Sequence, residues 1–83
     1  MNILPVQCRM ARAALGLGVR DLAAIAKVSV DTVARFERGE ELKERTIEAL
    51  QHALQAAGIE FIEENGGGPG VRLGRSADTK AEK

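Results

Sequence analysis

The connection between the second and third predicted helices is the most restrictive feature of the sequence. Helical periodicity predicts helices over Val19–Lys27 and Val30–Arg38, and only the residues around Val28 separate them. So short a connection forces two short helices to cross at a wide angle. Ser29 is placed to cap the second of them, because its hydroxyl can accept a hydrogen bond from an amide two or three residues further on.

Two further helices are predicted, one on each side of this pair. Pro5 suits the first turn of a helix that extends to about Leu15, because the amide that proline lacks would have no partner there. Another helix extends from about Glu44 to Ala57, and Gly58 closes it. Apolar residues at three- and four-residue steps predict the inward faces of the four helices. They are Val6, Met10, Ala13 and Ala14; Leu22, Ala23 and Ala26; Val33 and Phe36; and Ile47, Leu50, Leu54 and Ala57.

From Gly58 onward the pattern changes to alternation, which predicts a β-hairpin with a glycine-rich turn. A two-stranded hairpin is only marginally stable alone, so we expect it to pack on the helices or to pair with a second copy of the chain. The residues expected at such a dimer seam are Ile59, Phe61, Ile62, Val71 and Leu73. The chain thus divides into a helical unit (1–58), a hairpin extension (59–74) and a polar tail (75–83) that is predicted to be disordered.

Composition excludes several classes of protein. The 83 residues allow one small domain, and no apolar run approaches the ~20 residues that a membrane span needs. Cys8 is the only cysteine and His52 the only histidine, so neither an intrachain disulfide nor an ordinary zinc site is expected, and a cytoplasmic location fits. Cys8 is most simply a small residue of the first helix and His52 a surface or boundary residue. No nucleophile is paired with a base, and the glycine run 66–70 lacks the ending of a phosphate loop, so neither an enzyme nor a cofactor is expected.

The charges cancel, with twelve basic and twelve acidic residues. Domains that bind nucleic acid are often strongly basic. Any such function of this chain must therefore come from the local placement of its charges.

The stretch from Arg20 to Gly39 resembles the helix-turn-helix of phage repressors and of the wider Xre/Cro-like transcriptional regulators. The residues that carry the resemblance are Leu22-Ala23, Val28-Ser29, Thr32-Val33 and Phe36-Glu37-Arg38-Gly39. The similarity covers about Gln7 to Leu54, and the hairpin that follows is similar to that of small bacterial members with a β-extension. It implies a mainly α fold: a four-to-five-helix repressor-like bundle that contains a helix-turn-helix and ends in a β-hairpin.

The resemblance places the predicted helix 30–38 in the major groove of double-stranded DNA as a recognition helix. Val30, Asp31 and Arg35 fall where such repressors read bases, and Thr32 and Arg38 lie beside them. Arg35 could bond guanine O6 and N7, Asp31 could accept from cytosine N4, and Val30 could touch a thymine methyl. Two other interpretations stay open: Asp31 as a carboxylate that favours the start of a helix, which we prefer slightly, and Arg35 as a solvated side chain.

The resemblance also implies contacts with phosphates. Ser29 would touch one while it caps the recognition helix. Where these repressors often have a glutamine, this chain has Val19, whose backbone amide could still hold a phosphate at the start of its helix. Glu40 and Glu41 make the following loop unusually acidic and would repel DNA. The remaining candidates for phosphate contacts are Arg20, Lys43 and Arg45.

Arg12 and Glu37 match a pair that ties the first helix to the end of the recognition helix in some repressors. We expect the same salt bridge here. Its role would be to orient the recognition helix, because a buried ion pair is weak evidence of net stability.

These features together predict a DNA-binding transcriptional regulator that acts as a homodimer on a two-fold symmetric operator. Because no effector domain is visible in the sequence, repression by steric occlusion is the expected mode. The alternative is a protein-interaction module, such as an antitoxin-like or antirepressor partner, whose hairpin and acidic loop would bind protein while DNA binding is secondary.

Overall fold

The computed structural model of the chain describes residues 2–74, and the predicted disordered tail lies outside them. Within these residues four helices are followed by a two-stranded antiparallel sheet, which confirms the mainly helical fold with a C-terminal hairpin. The elements are α1 (Pro5–Leu15), α2 (Val19–Ala26), α3 (Val30–Glu37), α4 (Glu44–Ala56), β1 (Ile59–Ile62) and β2 (Gly70–Leu73). No helix in this part of the chain is long and apolar enough to cross a membrane.

A residue in the left-handed conformation follows the end of α2 and the end of α3. After α3, Gly39 adopts a left-handed conformation (φ 93°), and its amide donates to the carbonyl of Phe36. After α2, Lys27 adopts a left-handed conformation (φ 62°) without being glycine. The chain therefore turns into α3 through a residue that lies in a conformation unfavourable for its side chain.

The core lies between the helices and the inner face of the hairpin. Its fully buried side chains include Leu22 of α2, Val33 of α3, and Leu50 and Leu54 of α4. Phe36 and Ala23 are also buried, while Ala26 and Ile47 pack partly against this cluster. The inward faces predicted for α2, α3 and α4 are thus confirmed, except that Ala57 follows the last residue of α4 and does not belong to this cluster.

The inward face predicted for α1 is wrong. Val6, Ala13 and Ala14 are exposed and Met10 is only half-buried, whereas Gln7, Cys8 and Ala11 are buried. These last three follow the same helical spacing but include two polar side chains. Both find hydrogen-bond partners inside the fold, which removes the penalty that would otherwise keep them at the surface.

The hairpin is anchored to the helices on both sides. Its register pairs Ile59 with Leu73 and Phe61 with Val71; β1 contacts α4, and β2 contacts α1. Gln7 of α1 donates from Nε2 to the carbonyl oxygens of Ile62 and Gly70, each at 3.0 Å. This one side chain holds the end of β1 and the start of β2 against the first helix.

Candidate nucleic-acid interface

One face of α3 is held in the core and the opposite face is open. Val33 and Phe36 are buried, while Val30 is 44 % exposed and Asp31 is also exposed. Ser29 caps the start of the helix: its Oγ accepts a hydrogen bond from the amide of Thr32 at 3.0 Å. The hydroxyls of Ser29 and Thr32 are also hydrogen-bonded to each other at 2.8 Å. The outer face therefore stands clear of the chain at the helix start, where recognition helices reach base edges.

A bidentate ion pair fixes the other end of α3. Arg12 donates from Nε and Nη2 to the two carboxylate oxygens of Glu37, each at 2.7 Å, so the structure brings the predicted pair into contact. Arg12 also donates to the carbonyl of Leu17, and Arg9 donates to the carbonyl of Glu37. Burial favours a raised pKa for the Glu37 carboxyl, but the hydrogen bonds from Arg12 and Cys8 outweigh it and lower that pKa.

The Cys8 thiol belongs to the same cluster. Its Sγ donates to Glu37 Oε2 at 3.2 Å, and the side chain is fully buried. Burial, together with the neighbouring Glu37 carboxylate, raises the pKa of this thiol to about 12. A neutral, enclosed thiol is a poor nucleophile, so the structure gives Cys8 a packing and hydrogen-bonding role.

Arg35, the predicted base reader, is engaged by carboxylates of its own chain. Its Nε donates to Glu40 Oε1 at 3.0 Å, and its Nη1 lies 4.0 Å from Asp31 Oδ2, one turn earlier on the same face. Arg38 donates to the other oxygen of Glu40 from Nε and Nη2, at 3.2 and 2.8 Å. The two arginines lower the pKa of the Glu40 carboxyl. Two of the predicted contact residues are therefore linked through an acidic residue that the sequence reading had assigned only a repulsive role.

A groove of about 700 Å³ lies beside α3, between the α2–α3 turn and the start of α4. Two partly buried apolar side chains, Val28 and Leu42, line it and pack against the core. The predicted contact residues in its lining are Ser29, Thr32, Arg35 and Lys43. The α3–α4 groove thus gathers hydroxyls and cations that are spread over fifteen positions of the sequence.

Thr46 also lines the α3–α4 groove and was missed by the sequence reading. It lies in the first turn of α4, three residues after Lys43. A hydroxyl-bearing residue at the start of a helix was the only local signal for it. Its closeness to Ser29 and Thr32 depends on how α4 packs.

The other predicted contact residues around this face differ in their exposure and in their ion pairing. Arg20, Lys43 and Arg45 are exposed, and none of them forms an ion pair with another residue of 2–74. Val19, the first residue of α2, packs partly against the core. These three cations, without an ion pair in this part of the chain, are thus different from the two arginines that Glu40 engages.

Residues 6–61, more than half of the chain, match the family described as Helix-turn-helix domain. The chain belongs to this helix-turn-helix family. No curated protein shows a significant similarity to it. Membership makes the protein a DNA-binding regulator, and domains of this family are typically not enzymes.

The family match of this helix-turn-helix protein ends at Phe61, so β2 lies outside it. The structure also separates the five residues predicted at a dimer seam. Ile59 is 2 % exposed and belongs to the core of its own chain, where Phe61 and Val71 pack partly against the same cluster. Leu73 is 40 % exposed and Ile62 is half-buried. A side-chain contact with a second copy is therefore not available to Ile59, and Leu73 is the one exposed side chain among the five.

Proposed function

We propose that the protein is a bacterial, cytoplasmic regulator of the Xre/Cro type that binds a specific DNA sequence as a homodimer and represses transcription. The observation that carries this proposal is the division of α3 into a buried face with Val33 and Phe36 and an open face with Val30, Asp31 and Arg35. An α-helix with its side chains is about 10–12 Å across, which fits the ~12 Å width of the major groove.

Base reading is proposed for the open face of α3. Val30 comes first and presents methyl groups that suit the thymine methyl. Asp31 accepts hydrogen bonds and suits cytosine N4, whereas the Arg35 guanidinium suits O6 and N7 of guanine. Thr32 and Arg38 flank these residues.

Phosphate binding is proposed for the α3–α4 groove and its surroundings. A sugar-phosphate strand beside α3 would lie along Ser29, Thr46 and Lys43, whose hydroxyl and ammonium groups suit phosphate oxygens. Arg20 and Arg45 extend this surface as free cations. Because Glu40 and Glu41 lie in the same loop, the net attraction is modest for one protomer, and a dimer doubles the number of phosphates neutralised.

The hairpin is the proposed dimer element. Each of its strands has one edge without a strand partner in residues 2–74, and Leu73 adds exposed apolar surface. Two copies joined there would present two α3 helices, and operator half-sites about one helical turn apart, ~34 Å, would fit them. A dimer that covers its operator would block access of other proteins, which is the proposed basis of repression. Sedimentation of the protein with and without operator DNA tests this, and a monomer in both samples contradicts it.

Selection of bound fragments from a random DNA library, followed by gel shifts at several salt concentrations, tests sequence-specific binding. We expect one enriched motif and an affinity that falls steeply as salt rises. Arg35→Ala should relax one position of the motif, a loss of roughly 1–3 kcal/mol of discrimination. Lys43→Ala should weaken binding to all sequences and reduce the salt slope by about 1.

Arg72→Ala provides the matched control. Arg72 lies on the hairpin and, like Arg35, donates from Nε to a glutamate at 3.0 Å, here Glu60. The variant removes the same charge and the same kind of ion pair away from α3, so the preferred base at each position of the motif should be unchanged. Because Arg72 lies on the proposed dimer element, sedimentation of the variant checks that the dimer still forms. No enriched motif, or a protein partner that co-purifies while DNA is not bound, would refute the proposal.

A further inference from the structure

Backbone hydrogen bonds at the end of α3 hold Glu40 next to Arg35. The amide of Glu40 donates to the carbonyl oxygen of Arg35 at 3.1 Å, and the amide of Gly39 donates to that of Phe36 at 2.9 Å. This double closure is the Schellman arrangement, in which a left-handed Gly39 folds the chain back over the last turn. The position of the carboxylate that binds Arg35 is therefore fixed by the helix end and does not depend on a long, variable loop.

Glu40 uses only one edge of the Arg35 guanidinium. The bond runs from Nε to Glu40 Oε1, so Nη1 and Nη2, which carry four of the five N–H donors, are outside it. The nearest other carboxylate, Asp31, is 4.0 Å from Nη1, beyond hydrogen-bond distance. The end of the guanidinium that can bond O6 and N7 of a guanine together is still available.

Arg38 holds the Glu40 carboxylate from the opposite side. Two of its nitrogens donate to Oε2, while Arg35 takes Oε1, so both carboxylate oxygens are occupied. The carboxylate can rotate less than one held by a single partner. Exposed ion pairs of this kind contribute little to stability, so the consequence of this one lies in the orientation of the Arg35 side chain.

We propose that Glu40 is a positioning residue that determines specificity: it holds the Arg35 guanidinium by Nε so that Nη1 and Nη2 are presented to one guanine. This inference rests on the proposed function, because it assumes that Arg35 reads a base. It also assigns Glu40 two opposing effects. The carboxylate lowers affinity for every DNA sequence through repulsion, and it raises the preference for the correct base because Arg35 is oriented before binding.

Glu40→Gln tests this inference against Glu41→Gln as the matched control. Glu41 is the next residue, lines the α3–α4 groove and forms no ion pair within residues 2–74. Both variants remove one negative charge from the same loop, so affinity for unrelated DNA should rise to a similar extent in both. The discrimination between the selected motif and the motif altered at the Arg35 position should fall at least about fivefold in Glu40→Gln only.

A double-mutant cycle with Arg35→Ala tests whether Glu40 affects discrimination through Arg35. In the Arg35→Ala background, Glu40→Gln should leave discrimination at that position unchanged, because the two residues act as one unit. Glu40→Asp, which keeps the charge but shortens the reach to Arg35, should lose part of the discrimination without the gain in affinity for unrelated DNA.

The outcomes separate this inference from the proposed function. If the unaltered protein selects no motif, both are overturned. If it selects a motif and Arg35→Ala relaxes it, the proposed function stands; equal discrimination in Glu40→Gln and Glu41→Gln then overturns only the positioning role. If Arg35→Ala leaves the motif unchanged, the positioning role is likewise overturned.

Discussion

Gln7 is the polar side chain on which the attachment of the hairpin depends. It is 1 % exposed, and its amide makes three hydrogen bonds. Oε1 accepts from the amide of Leu4 at 2.9 Å, and Nε2 donates to the carbonyls of Ile62 and Gly70. The side chain thus caps the start of α1 and joins it to residues 55 and 63 positions further along the chain.

Replacing Gln7 by Met keeps the length of the side chain and removes all three hydrogen bonds. At roughly 1 kcal/mol for each bond, the free energy of unfolding should fall by about 2–3 kcal/mol. Gln7→Ala should lose about 2–5 kcal/mol more, because it also leaves a cavity at a buried position. For a domain of this size the first loss lowers the Tm by more than about 8 °C.

Urea unfolding followed by circular dichroism measures these changes. Gln55→Met on the exposed face of α4 is the control, and it should stay within about 0.5 kcal/mol of the unaltered protein. Hydrogen exchange should accelerate most at the hairpin amides of Gln7→Met, because the strands lose their tie to α1. A loss below about 0.5 kcal/mol in Gln7→Met would refute the reasoning, since the buried carbonyls would then find other partners at no cost.

Three more predictions concern the turn and the cluster at the end of α3. Glu37→Gln should destabilise the protein by about 2 kcal/mol at pH 7, because Arg12 loses its hydrogen bonds to a charged partner. Since the pKa of Glu37 is lowered in the folded protein, its contribution to stability is complete above the ordinary value of 4.5 and is lost as pH falls through the lowered pKa. The free energies of unfolding of the unaltered protein and of Glu37→Gln, measured as the pH is lowered, should therefore converge. Two parallel curves would contradict this. Lys27→Gly should stabilise the fold by about 0.5 kcal/mol, since glycine tolerates the left-handed conformation while it adds entropy to the unfolded chain; an unchanged or lower Tm would count against this. Iodoacetamide at pH 8 should alkylate Cys8 only after unfolding, and rapid modification of the folded protein would contradict the buried, high-pKa thiol.

Local signals in the sequence determined most of the secondary structure. Pro5 begins α1, Ser29 caps α3, and Gly39 ends it, each through bonds that span only a few residues. The spacing of apolar residues also located the inner faces of α2, α3 and α4. These features follow from the sequence because the atoms that decide them are neighbours along the chain.

The network of Arg35 and Glu40 could also have been read from the sequence. An arginine four residues before the glycine that ends a helix is followed, just after that glycine, by a glutamate, and the helix end brings the two together. Treating Glu40 only as a charge facing DNA concealed this pairing. The ion pair of Arg12 and Glu37 was expected from the resemblance, but its bidentate form and its contact with Cys8 depend on how α1 packs on α3.

Tertiary structure alone decided which face of α1 is buried and what the hairpin does. Periodicity favoured the apolar Val6 over Gln7, because a sequence does not show that a glutamine will meet two carbonyls more than fifty positions away. The same holds for Ile59, which packs into its own core, and for Thr46, which joins the α3–α4 groove. Each of these placements depends on the packing of whole elements against one another, where distant hydrogen bonds and burial outweigh local preference.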